Sequence, residues 1–113
     1  MALSSFTIFT SKPIPSSGGS YEYFRVHPQG YNCAGLQWAT SSKEVIAFVI
    51  ERSYDGVEFE PAGQVMATRS KSYRFKDCDL QHNMVYYRVI GLTTGRQTED
   101  SPIEEIYFHH SMD

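Results

Sequence analysis

The sequence predicts an all-β fold: a two-sheet sandwich of seven strands preceded by an extra N-terminal segment. Three observations carry that expectation. Apolar and polar residues alternate over short runs through most of the chain, which is the period of a half-buried strand. Turn signals separate the runs, among them Pro28-Gln29-Gly30, Asp55-Gly56 and the break at Pro102. A single tryptophan, Trp38, stands in the middle of the second alternating run, where a large anchor for one small core belongs. No stretch has a convincing helical period; residues 41–45 make one helical turn at most.

The elements follow in order. Residues 5–9 (SFTIF) are a short strand candidate, and residues 12–20 (KPIPSSGGS) are a linker by composition, because Pro and Gly/Ser disfavour both helix and central strand. The first strand of the compact domain spans 21–27. The second spans 34–40, with Leu36 and Trp38 on one face and Gln37 and Ala39 on the other. The third spans 46–53, with Phe48 and Ile50 inward and Val49 and Glu51 outward. Asp55-Gly56 makes the reversal, since Gly tolerates positive φ. The fourth run, 57–64, contains Pro61 and therefore belongs at a sheet edge. The fifth, 72–76, alternates Tyr73 and Phe75 with polar neighbours. The sixth, 85–92, is the most apolar and should be central. The seventh, 103–108, closes the domain. Residues 1–20 are thus an N-terminal segment with a candidate edge strand, 21–108 the sandwich, and 109–113 a tail.

Composition narrows the function. A chain of 113 residues with 41% hydrophobic content suits one domain with one core. A net charge of -3 gives no support for nucleic acid or an anionic membrane as the main partner. The local basic group Arg69, Lys71, Arg74 and Lys76 reads as a solvated strand face. No run approaches the roughly 18 apolar residues of a spanning helix, so no membrane insertion is expected. The first residues, MALSSFTIFTSKPIPSS, lack a basic start, and Ser and Thr interrupt their apolar stretch, so they do not read as a signal peptide.

Reactive constellations are not apparent. The histidines are His27 and His82, placed in turns, and His109 and His110 after the last strand; no serine has a nucleophile-elbow context. His109, His110 and Asp113 form a loose tail cluster, and Asp77 with Asp79 offers oxygens, but neither has a recognised ligand spacing. No catalytic residue, metal ligand or cofactor is therefore assigned. Tyr21, Tyr23, Tyr31, Tyr54 and Tyr107 exceed what one core needs, and surplus tyrosines can stack on sugars or anchor a protein. Tyr54 and Asp55 at the hairpin tip and Arg96 in the 93–100 loop are the loop contact candidates, because sandwich-end loops commonly carry binding. Residues 5–9 on their tether could add to an open sheet edge of the same chain or of a second copy, which would give a homodimer.

Particular residues carry a family resemblance. Leu36 and Trp38, then Phe48, Ile50, Glu51, Arg52, Ser53, Asp55, Gly56 and Phe59, then Tyr73, Phe75 and Asp77, then Tyr86, Tyr87, Arg88 and Val89 form a pattern over about residues 21–108. It resembles the fibronectin type III-like, immunoglobulin-like sandwich domain of secreted and surface proteins from bacteria with type IX secretion. The resemblance implies that the first, second and fifth strands form one sheet and the others the second. Trp38 would lie between the sheets, covered by Phe48, Ile50, Tyr73 and Val89. One of Tyr86 and Tyr87 would be a corner tyrosine bonded to backbone upstream. Spacing from Leu80 favours Tyr86, whereas alternation with Val89 favours Tyr87. Glu51 and Arg88 would pair across neighbouring strands on the outer face, and Asp77 would bond turn backbone. In that strand order Cys33 and Cys78 fall at the same end of one sheet, so they either form a disulfide or remain two small apolar thiols. The implied function is a non-catalytic binding or spacer module that mediates protein contacts in a secreted or surface assembly. A carbohydrate-binding module that uses surface tyrosines is the alternative, and a cytoplasmic location stays open.

Overall fold

A computed structural model describes residues 20–108. The expectations for residues 5–9, His109, His110 and Asp113 lie outside the described residues. Two antiparallel sheets face each other. One contains β1 (Tyr21–Pro28), β2 (Ala34–Thr40) and β5 (Ser72–Asp77), in the order β1-β2-β5. The other runs β4 (Glu60–Met66), β3 (Val45–Ser53) and β6 (Met84–Thr93), with β7 (Glu99–Asp100) and β8 (Glu104–Tyr107) both paired to β6. No helix occurs among the described residues.

Two details differ from the sequence expectation, and two others settle points it left open. Eight strands are present where seven were expected, because β7 is a pair of acidic residues with no apolar pattern. β4 opens at Glu60 and not at 57, because Asp55 Oδ1 accepts the N–H groups of Val57 and Glu58 and holds them in the turn. Residues 41–44 make no helical turn; Thr40 Oγ1 and Ser42 Oγ accept from the N–H groups of Ser42 and Glu44 and shape the reversal. His27 stands within β1, as the span given for the first strand implies, and not in a turn.

Alternation puts one face of each sheet into the core. Trp38 is fully buried. Its ring meets Phe48 edge-on at 5.5 Å and stacks on Tyr73 at 5.9 Å, with Ile50 and Val89 in the same cluster. The indole N–H has no acceptor among the described residues, so apolar burial and ring packing hold this side chain in place.

The registers sort the loops into two ends. Ala34 pairs with Asp77, Ser53 with Tyr86 and Met84 with Tyr107, so the loops 29–33, 54–59 and 78–83 gather at one end. The loops 41–44, 67–71 and 94–98 gather at the other. The described chain enters at the second end through Tyr21, opposite Thr40, and leaves at the first beyond Tyr107.

Candidate binding site at one loop end

The end formed by residues 29–33, 54–59 and 78–83 is braced from the core outward. Tyr87, Asp77 and Arg52 all occupy inward positions of their strands. The Tyr87 hydroxyl donates to Asp77 Oδ2 at 2.6 Å. Arg52 Nη1 donates to both carboxylate oxygens of Asp77, at 2.8 and 2.7 Å. Arg52 also lies 3.6 Å from the exposed Glu60 carboxylate. Burial and the Asp77 carboxylate push the Tyr87 hydroxyl above its ordinary pKa. For Arg52 burial acts downward, but the hydrogen bond and charge of Asp77 outweigh it and hold the guanidinium above its usual value.

Beyond Arg52 the bracing reaches the surface. Its guanidinium lies 5.8 Å from the Tyr54 ring, and that ring packs on His82 at 4.5 Å. The Gln81 N–H donates to the Tyr54 hydroxyl at 3.3 Å. Cys33 and Cys78 are bonded, tying the 29–33 loop to the 78–83 loop, and the Leu80 N–H donates to the Asn32 carbonyl at 3.1 Å beside them. Asn32 and Asp79 flank this junction in the left-handed region, at φ 55° and 63°, which their side chains tolerate better than most.

The two tied loops enclose an open basin of about 250 Å³ lined by Tyr31, Asn32, Leu80, Gln81, His82 and Asn83. Tyr31 is 81% exposed at its rim. Carboxamides, an imidazole and an exposed phenol can bond hydroxyls and stack on a flat ring. They offer no nucleophile with a base and orienting carboxylate. No group of three or more His, Cys, Asp or Glu side chains suited to a metal occurs among the described residues.

The sequence-derived candidates fall in different places. Tyr54 is half-buried and serves as a strut under His82. Asp55 is exposed, but its carboxylate caps the turn: it accepts from the N–H groups of Glu58 and Val57 and from Ser53 Oγ. Gly56, at φ 79°, completes that turn against the Tyr86 ring. Tyr21 is not a surface tyrosine; its hydroxyl donates to the Glu99 carbonyl at 2.7 Å, and burial pushes its pKa up. Tyr23 lies under Arg25, 4.2 Å from its guanidinium. Tyr107 is 57% exposed on β8, and Arg96 is exposed at the opposite loop end. Tyr87 is the buried member of its pair, and it bonds the Asp77 side chain where backbone was expected. Asp77 likewise bonds Arg52 and Tyr87 and not turn backbone, so its oxygens are committed to the protein. On the outer face of the five-stranded sheet Arg88 Nε donates to Glu51 Oε1 at 2.7 Å, and the Arg88 guanidinium covers the Phe59 ring at 4.2 Å. Being partly exposed, the ion pair should contribute under about 1 kcal/mol.

The Asp55 cap makes a pH-dependent prediction. Hydrogen bonds from Glu58, Val57 and Ser53 lower its carboxyl pKa below the ordinary value. Its contribution to stability is therefore complete above about pH 4 and is lost as pH falls through the depressed value. The melting-temperature difference between wild type and Asp55→Asn should be largest at neutral pH and should shrink on acidification. A difference constant across that range would remove the carboxylate from the cap.

Comparison with known proteins bears on the fold. No protein-family model and no curated protein matches this chain. Solved structures do. The chain is similar to part of a pectate lyase from Erwinia chrysanthemi solved in complex with tetragalacturonic acid, at 17% identity and TM-score 0.61, covering 76% of this chain and 28% of that one. It is similar to a structure described as a myokine at 18% identity and TM-score 0.60, covering 80% of this chain and 97% of that one. It is also similar to part of a β-1,2-glucanase from Parabacteroides distasonis at 16% identity and TM-score 0.58, covering 82% of this chain and 12% of that one. At these identities the likeness establishes an all-β sandwich. The match spans about a quarter of the lyase and about an eighth of the glucanase.

Proposed function

We propose that this chain is a non-catalytic binding or spacer module of fibronectin type III-like topology, acting in a secreted or surface assembly. Its working surface is the braced loop end, and its mechanism is shape and hydrogen bonding with no bond broken. The observation that carries this reading is the coupling of the Tyr31 basin to the core. A disulfide and the Tyr87–Asp77–Arg52–Tyr54–His82 series hold the 29–33 and 78–83 loops in one geometry, which lowers the ordering cost of binding. The β1-β2-β5 sheet supports the fibronectin-like arrangement, with β7 as a short addition. The disulfide supports an oxidising compartment. The enzymes that share the fold are far longer than the matched portion, which fits a module serving chains whose chemistry lies elsewhere. A photo-crosslinking residue at position 31 should yield a discrete protein adduct on the cell surface or in the secreted fraction, whereas one at position 96 should not. Equal labelling from both positions would count against the basin as the contact.

A second reading has its own observation. An exposed tyrosine beside carboxamides suits a sugar, so the basin would take a neutral glycan. On a glycan array, Tyr31→Ala should weaken any such binding roughly 3- to 10-fold, the worth of one stacked ring. A wild-type protein that binds no glycan on the array would retire this reading.

A further inference from the structure

We infer a second binding surface on the outer face of the three-stranded sheet, suited to a linear acidic polysaccharide whose sugars carry carboxylates. The register builds it. Arg25 pairs with Gln37, and Gln37 with Arg74, so one row across the sheet reads Arg-Gln-Arg. The next row reads His27, Gly35, Lys76. Neighbours of these residues along the strands, Phe24, Leu36, Trp38, Tyr73 and Phe75, pack in or against the core, so alternation turns both rows outward. Arg25, Arg74 and Lys76 are exposed. No Asp or Glu stands in either row, and none of the three cations forms an ion pair among the described residues, whereas Arg52 and Arg88 both do. A molecule of net charge -3 therefore keeps one of its faces free of carboxylates across these rows.

The face is partly covered at its centre by its own polar side chains. Its central strand contributes Gly35 and Gln37, and a Cβ at Gly35 would collide with the Gln29 carboxamide and the His27 ring that lie over it. Arg25 is seated on the Tyr23 ring and so is held near the sheet surface. Arg25 and Arg74 stand about 10 Å apart, two strand spacings, with the Gln37 carboxamide between them. This alternation of guanidinium and carboxamide matches a polymer that alternates carboxylates with hydroxyls: Arg binds carboxylates in bidentate fashion, and carboxamides bond hydroxyls. Nucleic acid is the poorer match. Duplex DNA presents a charge every ~1.7 Å, and a net-negative protein with a few spaced cations neutralises little of it.

The surface lies apart from the Tyr31 basin, so the two can be tested separately. The probe is polygalacturonate, titrated into the whole chain by calorimetry at low ionic strength. Binding should weaken as salt rises, should be absent with the fully methyl-esterified polymer, and should fall at least about tenfold in an Arg74→Gln/Lys76→Gln variant, the equivalent of one or two charge-assisted contacts. Tyr31→Ala should leave it unchanged. The substituted side chains are exposed, and a circular dichroism melt of the double variant should overlay the wild type. Any of four results would overturn the inference: no binding of polygalacturonate, equal binding of the esterified polymer, a double variant that binds as well as wild type, or tighter binding of polyglutamate or duplex DNA.

Discussion

Asp77→Ala is expected to destabilise the fold by about 3 kcal/mol, the low end of the roughly 3–5 kcal/mol seen when one partner of a buried ion pair is removed. The substitution strands two groups at once. Arg52 keeps its charge at an inward position where its side chain is 19% exposed, and the Tyr87 hydroxyl, in a fully buried residue, loses its acceptor. The low end applies because Arg52 can still turn toward Glu60 and water. Denaturant unfolding would measure the loss. The Tyr87→Phe cost, about 1.5–2 kcal/mol in wild type for one hydrogen bond to a carboxylate, should nearly vanish in the Asp77→Ala background, since the bond is already gone. A full Tyr87→Phe cost in that background, or an Asp77→Ala loss under about 1 kcal/mol, would mean that the triad does not brace the fold.

Replacing both cysteines with serine is expected to cost about 4 kcal/mol. Cys33 and Cys78 are separated by 45 positions, and the chain-entropy model assigns about that stabilisation to closing such a loop. Reductant should reproduce the effect on wild type, and the shift should be read as a lower denaturant midpoint with little change on the native side. The basin should suffer beyond stability. With the tie gone, Tyr31 and His82 sit on loops still joined by the Leu80–Asn32 backbone bond, and the binding proposed for the basin should weaken under conditions where the sandwich remains folded. A double-serine variant as stable as wild type would place the stabilisation of this end in the Asp77 triad alone.

Much of the architecture was legible in alternation. Leu36, Trp38, Phe48 and Ile50 stand at the inward positions the alternation assigned, Val89 at the one the resemblance implied, and Pro61 lies in the edge strand β4. The misplaced start of β4 has a local cause: Val57 and Phe59 look like strand residues, but hydrogen bonds to Asp55 keep the chain in its turn. β7 was invisible because two acidic residues have no pattern to read.

The triad was missed for a different reason. Counting along β3 from Ile50 inward and Glu51 outward puts Arg52 inward. The same count puts Asp77 inward after Tyr73 and Phe75, and Tyr87 inward with Val85 and Val89. A cation, a carboxylate and a phenol at inward positions near the same end of three strands was the available signal. The basin could not be read at all, because it depends on loops that meet only in space. The cationic face needed the register: Arg25 is far from Arg74 in sequence and two strands away in the sheet.

The described chain enters at one end of the sandwich and leaves at the other, and this has a mechanical consequence. Tension applied between these points would drag β1 along β2 and β8 along β6, loading ladder bonds that run perpendicular to the pull. Such bonds must fail together and not one after another, so the sandwich should resist sudden stretching. Should it yield, the sulfur bridge would keep the segment from Cys33 to Cys78, 45 positions apart, from paying out, about 150 Å of taut polypeptide held in reserve.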